Sequence, residues 1–194
     1  MNQYVAVQLN RRFPLFPLPE TMLLPHAIMP ITVYEPRYRQ MTDHALDGSG
    51  QIAIATYCGG RLKDEIDCPV PLRDVVCLGQ IVQHEKARHG YNILVYGLCR
   101  AEIQEEFEPQ DDLQYRTVKL RPMENNNDEV DEEYRDELRK ILDRPNMQRL
   151  QQLDTVVQWI NEPEVSTPEL FELVGCSLFT ADELLYSRLA EQSV

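Results

Sequence analysis

Near its start the chain sets Pro14, Pro17, Pro19, Pro25 and Pro30 among Phe13, Leu15, Phe16, Leu18, Leu23, Leu24 and Ile31. Proline removes a ladder donor, so in sheet structure it marks edges, bulges and strand starts. Such a segment reads as short extended pieces at the margin of a sheet. An edge strand beside exposed apolar residues accepts an extended polypeptide by strand addition. The alternative is that Phe13, Leu15, Leu18, Leu23 and Ile31 fill a core.

The rest of the first 122 residues has the same character. Runs rich in Val, Ile, Leu and Tyr, punctuated by Gly, Pro and Asp, predict strands over 6–9, 12–17, 28–34, 51–57, 76–86, 91–105 and 114–120. One helix interrupts them: Pro36 suits a first turn, Tyr38, Met41 and Ala45 recur at helical spacing, and Gly48-Ser49-Gly50 stops the run. Residues 76–105 read as a long hairpin turning at Arg88-His89-Gly90.

Residues 123–133 change composition, with three consecutive Asn and six carboxylates, and read as an acidic linker or loop. Beyond it, Tyr134, Leu138, Ile141 and Leu142 fit one helical face ended by Pro145, and Leu150, Leu153, Val156, Val157 and Ile160 fit another ended by Pro163. Thr167 before Pro168, and the capping box Thr180-Ala-Asp-Glu183, start two more helices. The expected organisation is α+β: a small curved β-barrel with one crossing helix over 1–122, a linker over 123–133, and a helical subdomain over 134–194.

Charge is placed unevenly. Residues 1–100 carry ten Lys/Arg against nine Asp/Glu, and residues 101–194 carry nine against twenty-three, so the halves sum to +1 and −14. An acidic balance of this size repels phosphate backbones and argues against nucleic acid, although it also serves solubility. Cys58, Cys68, Cys77, Cys99 and Cys176 form no C-x-x-C pair and read as reduced thiols in cytosol. No run of apolar residues is long enough for a membrane span, and no signal peptide is expected.

Residue types that carry catalysis lack the company they need. No glycine-rich loop leads into a Gly-Lys pair that would cradle phosphates. Ser49, Ser166, Ser177, Ser187 and Ser193 stand in no nucleophile elbow, and Lys63, Lys86, Lys119 and Lys140 have charged neighbours that suit solvated side chains. A zinc site from His84, His89, Cys77 and Cys99 is conceivable if the two thiols face each other across the hairpin, but the spacing equally suits a hairpin-tip histidine and half-buried thiols. His26 and His44 have no ligand partner nearby in sequence. Glu105-Glu106 and Glu132-Glu133 read as solvated acidic faces. Neither metal nor other cofactor is expected.

Phe13-Pro-Leu-Phe-Pro-Leu18, Leu24-Pro25, Pro30-Ile31 and Tyr34-Glu-Pro-Arg-Tyr-Arg39 resemble the opening of Lon-type substrate-binding domains. Leu78-Gly79-Gln80-Ile81-Val82 and Tyr96-Gly97-Leu98-Cys99-Arg100-Ala101-Glu102-Ile103 resemble two of that family's later strands. The likeness is strong over residues 12–121 and looser beyond. One departure is Pro25-His26, where many such domains have Pro-Gly. The resemblance implies a PUA-like β-barrel followed by a helical subdomain, in a stand-alone form without ATPase or peptidase parts. It implies a non-catalytic cytoplasmic module that binds unfolded polypeptide, or a protein partner such as a protease or chaperone, and brings no catalytic residue. RNA binding, known for PUA-like barrels, and a hydrolase activity are the competing readings. The surface residues expected to matter are Pro25, Tyr34, Glu35, Arg37, Tyr38 and Arg100. Glu35, Arg37 and Arg39 at a strand-to-helix junction bind a partner or form a local ion pair.

Overall fold

A computed structural model describes residues 10–19, 21–57, 71–110, 112–123, 132–144 and 153–162, with 165, 167, 170 and 174. The strand expected over 6–9 and the helix start at Thr180 lie outside the described residues. The elements are β1 (Phe13–Leu18), β2 (Ile28–Val33), α1 (Pro36–Leu46), β3 (Gln51–Thr56), β4 (Val75–Ala87), β5 (Gly90–Phe107), β6 (Thr117–Pro122), α2 (Glu132–Leu142) and α3 (Leu153–Asn161). It is a mixed α+β fold with one six-stranded sheet, ordered β2-β5-β4-β3-β1-β6, in which β5 also pairs with β6. Pairing therefore returns on itself through β5, β4, β3, β1 and β6, leaving β2 as an appendage on β5.

β5 makes this possible by its length. Tyr91 to Tyr96 pair with β2, whereas Ala101 to Phe107 pair with β6, while β4 follows β5 along its other side. Register shifts between Leu78 and Gly79, Ile81 and Gln83, and Ile103 and Glu105 bend the strands. The hairpin turns tightly, with Ala87 opposite Gly90. Gly90 is required there because a Cβ would overlap the Val33 carbonyl.

All six residues of β3 are buried, because both of its faces are covered. Phe13, Leu15, Ala53, Ala55, Val76, Leu78, Ala101, Val118 and Leu120 fill the inside of the ring. On the other face Phe16, Ile52, Ile54 and Cys77 pack against Tyr38, Met41 and Ala45 of α1, together with Leu23, Leu24 and Ile31. The apolar side chains of the proline-rich opening are thus core. Its prolines nonetheless obey edge chemistry: Pro14 pairs only towards β6 and Pro17 only towards β3, so each has a ladder neighbour on one side alone.

The thiols do not meet. Cys77 lies opposite Arg100 and Cys99 opposite Leu78, so successive-residue alternation turns them to opposite faces, and the zinc reading fails on geometry. No group of His, Cys, Asp and Glu among the described residues is arranged to hold a metal. No helix among the described residues is long and apolar enough to cross a membrane.

α2 and α3 pack around Leu142, Val156, Ile160, Leu170 and Val174. α2 starts two residues inside the expected acidic segment, with Glu132 and Glu133 in its first turn, where carboxylates favour the helix dipole. Its buried face differs from the expected one. Leu142 is buried and Leu138 packs beside it as expected, but Tyr134 and Ile141 are exposed and Arg135 is buried in their place. Arg135 turns inward because its guanidinium donates to the carbonyls of Ile160 (2.6 Å), Glu162 (3.2 Å) and Val165, closing the C-terminal end of α3. An aliphatic count misses a cation used as a helix cap.

Candidate functional site

Two glycines open the sheet to the segment leading into β2. Gly79 and Gly97 lie opposite each other on β4 and β5. A Cβ on Gly97 would overlap the Leu24 carbonyl and stand 3.1 Å from the Pro25 Cα, and one on Gly79 would crowd Val95 and come within 3.1 Å of Leu23. The chain therefore crosses directly over both glycines, burying Leu23, Leu24 and Pro25.

Immediately afterwards His26 adopts φ 63°. Its N–H donates to the Gly97 carbonyl (2.9 Å), and Gly97 N–H donates to the Ala27 carbonyl (2.9 Å). Two residues facing one, the first left-handed, make a bulge of the kind that ordinarily uses glycine. The unusual Pro25-His26 pair thus occupies a position that glycine fits without strain. His26 compensates in part through its Nδ1, 3.1 Å from the Tyr96 hydroxyl.

The bulge fixes which way β2 faces. Because the Ala27 carbonyl points to β5, so do the backbone groups of Met29, Ile31 and Val33, whereas those of Ile28, Pro30 and Thr32 point outward. Pro30 therefore gives up no bond to β5. Among the described strands, β2 alone has one side unpaired along its full length. Ile28, 60% exposed, stands at one end of it, and Tyr34, 68% exposed, follows the other.

At that second end the strand-to-helix junction gathers four of the six expected residues. Glu35 is the N-cap of α1, but its side chain makes no capping bond. It accepts from Arg37 instead, Nε at 2.9 Å and Nη2 at 2.8 Å. An exposed pair of this kind contributes under about 1 kcal/mol. Tyr38 is buried, its ring 4.6 Å from that of Phe16 and 4.5 Å from the Arg37 guanidinium. Burial pushes its phenol well above the ordinary range, so it stays a neutral hydrogen-bond donor. Pro25 and Arg100 are elsewhere: Pro25 lies buried over Gly97, and Arg100 is 5% exposed on β5.

Arg37 and Tyr38 also line a pocket whose other walls were invisible to sequence reasoning. Leu15 and Pro17 come from β1, and Glu108, Pro109, Gln114, Tyr115 and Arg116 from the connection between β5 and β6. That connection is fastened to α1. Gln40 Nε2 donates to the Asp112 carbonyl (2.7 Å), Gln114 N–H donates to Gln40 Oε1 (2.8 Å), and His44 Nδ1 lies 2.9 Å from the Tyr115 hydroxyl. β1 holds the far side, with Leu15 N–H donating to the Arg116 carbonyl (2.9 Å). The pairing of β1 with β6 together with these contacts from α1 brings Arg116 to Arg37, and no local spacing signals it.

Glu105, Glu106 and Glu102 turn out to be partly neutralised. Lys119 pairs with Glu105 (2.7 Å), Arg116 with Glu106 (2.5 Å) and Arg121 with Glu102 across β5 and β6. The Ser49 hydroxyl accepts from Arg11, and Lys119 lies half-exposed in an ion pair, whereas Lys63, Ser166, Ser177, Ser187 and Ser193 lie outside the described residues.

Residues 12–179 match the ATP-dependent protease La (LON) substrate-binding domain family. The chain belongs to that family. Two solved structures share the fold of this LON substrate-binding domain. One is a Lon N-terminal domain protein from Xanthomonas campestris, 18% identical over 94% of this chain and 92% of that one, with a TM-score of 0.62. The other is the N-terminal domain of Mycobacterium avium complex Lon protease, 21% identical over 92% of this chain and 94% of that one, also with a TM-score of 0.62. No curated protein matches the LON domain described here in sequence.

Proposed function

We propose that this LON substrate-binding domain is a non-catalytic polypeptide-recognition module that takes extended segments along the outward side of β2 and presents them to a protease or chaperone. The closed strand ring is read as the expected PUA-like barrel, with α2 and α3 as its helical companion. The observation that carries the proposal is the side of β2 that no described strand pairs with, flanked by the exposed Ile28 and Tyr34. An added strand gains both backbone bonds at Ile28 and at Thr32 and only the carbonyl at Pro30. Loss of one donor mid-strand weakens indiscriminate edge pairing. This suits a module that must release what it holds.

Fluorescence anisotropy of a labelled, permanently unfolded polypeptide, without ATP and beside a labelled RNA at two salt concentrations, tests the reading. Saturable polypeptide binding that survives added salt is expected, and Ile28→Lys should weaken it by about tenfold or more through loss of an apolar contact. RNA binding that collapses with salt, without polypeptide binding, would replace this reading with a nucleic-acid one. Binding of neither ligand would reject both.

A further inference from the structure

We infer that the pocket between α1 and the β5–β6 connection is a carboxylate-binding subsite, assembled from Arg37, Tyr38, Gln114 and Arg116. Its donors are already in place. Both guanidiniums have donors to spare: Arg37 reaches Glu35 through Nε and Nη2, and Arg116 reaches Glu106 through Nη1. Nη1 of Arg37 and Nη2 of Arg116 make no hydrogen bond among the described residues. Tyr38 is 7% exposed as a residue, while its hydroxyl, which makes no hydrogen bond among the described residues, is not one of the fully buried polar atoms. A phenol donor that keeps accessible surface in a pocket flanked by two arginines is complementary to an acceptor carrying negative charge. The planar fork of arginine matches a carboxylate better than it matches a point anion such as chloride.

The electrostatics set the affinity low. Glu35 and Glu106 offset the two guanidiniums, and Glu108, exposed at the rim, opposes an entering anion. A site of this balance selects for geometry rather than charge alone. The carboxylate is either the terminus of a polypeptide or an acidic side chain within one. Polypeptide as the source rests on the proposed function, whereas the carboxylate chemistry does not.

The test therefore uses small probes. The ¹H–¹⁵N spectrum of the full chain is titrated with N-acetylglycine, which mimics a chain terminus, with N-acetyl-glutamate methylamide, which mimics a side chain, and with N-acetyl-glutamine methylamide as the neutral control. Saturable shifts at Arg37, Gln114 and Arg116 with an acid, absent with the neutral probe and with equal ionic strength of chloride, are expected. The tighter of the two acids identifies the source. Tyr38→Phe, which keeps the ring against Phe16, should weaken binding about tenfold, the usual loss for a hydrogen bond to a charged group. Glu108→Gln should strengthen binding, which a merely structural pocket would not do. Equal shifts with the neutral probe, or none with either acid, would overturn the inference. Because no polypeptide is involved, that failure leaves the β2 proposal standing, and loss of polypeptide binding leaves this one standing.

Discussion

At the residue scale, His26 and Gly97 are two halves of one device. Gly97 lets the Leu24-Pro25 segment lie flat on the sheet, and His26 makes the left-handed step that returns the chain to a ladder. Left-handed backbone costs a residue with a side chain roughly 1–2 kcal/mol. His26→Gly relieves that strain but loses the Tyr96 contact and adds freedom to the unfolded chain, so it should stand about 0.5–1 kcal/mol above His26→Ala in stability. His26→Ala keeps the strain, loses the bond to Tyr96, and should lower stability by about 1 kcal/mol. Gly97→Ala has no such escape, since backbone is what the Cβ meets, and a loss of about 2 kcal/mol or more is expected. Urea midpoints followed by circular dichroism rank all three. Were His26→Gly no more stable than His26→Ala, the strain attributed to His26 would be wrong.

At the scale of elements, α2 and α3 depend on a polar contact more than their amphipathic patterns suggest. Arg135, 1% exposed, serves carbonyls that no helical bond can reach at the end of α3. Arg135→Met fills similar space but leaves those carbonyls without their donor, and about 2–3 kcal/mol of the helical pair's stability should go. The single tryptophan, Trp159, packs against the α2–α3 cluster and is not among the described residues packed on either sheet core. Its fluorescence therefore reports this pair alone. The mutation should lower the tryptophan midpoint and leave the strand signal in place, whereas an equal fall in both would mean that the helices and the sheet unfold as one unit.

The strand elements were largely legible because each carries its own alternation and its own turn residues. The long hairpin, the helix begun by Pro36 and stopped at Gly48-Ser49-Gly50, and the buried β1 side chains all appear within a residue or two of where the pattern puts them. The face of α2 was misread because hydropathy treats Arg135 as solvent-seeking, and a buried cap violates that assumption.

For the whole molecule, the two sheet cores contain no described residue beyond Leu120. A chain ending at Met123 should consequently melt cooperatively within a few degrees of the sheet transition of the full chain, as thermal circular dichroism would show. Aggregation or a broad melt would instead make the acidic C-terminal part integral to the fold. The same truncation removes much of the negative charge carried by residues 101–194, so it also tests whether that charge weakens RNA binding from a distance.

What the sequence by itself determined was local: where strands and a helix form, which side chains are apolar enough to be core, and the family motif whose glycines and prolines have strict backbone meanings. The motif marked Tyr34, Glu35, Arg37 and Tyr38 as one junction, and they are. It could not say that Pro25 and Arg100 are buried while Arg116 and Gln114 stand beside Tyr38, because those positions depend on pairings between strands about a hundred residues apart. Nor could it say which strand keeps an open side. Proline marks an edge wherever it occurs, but whether a neighbour arrives at that edge is decided by closure of the ring through β5 and β6, and closure is a property of the assembled sheet.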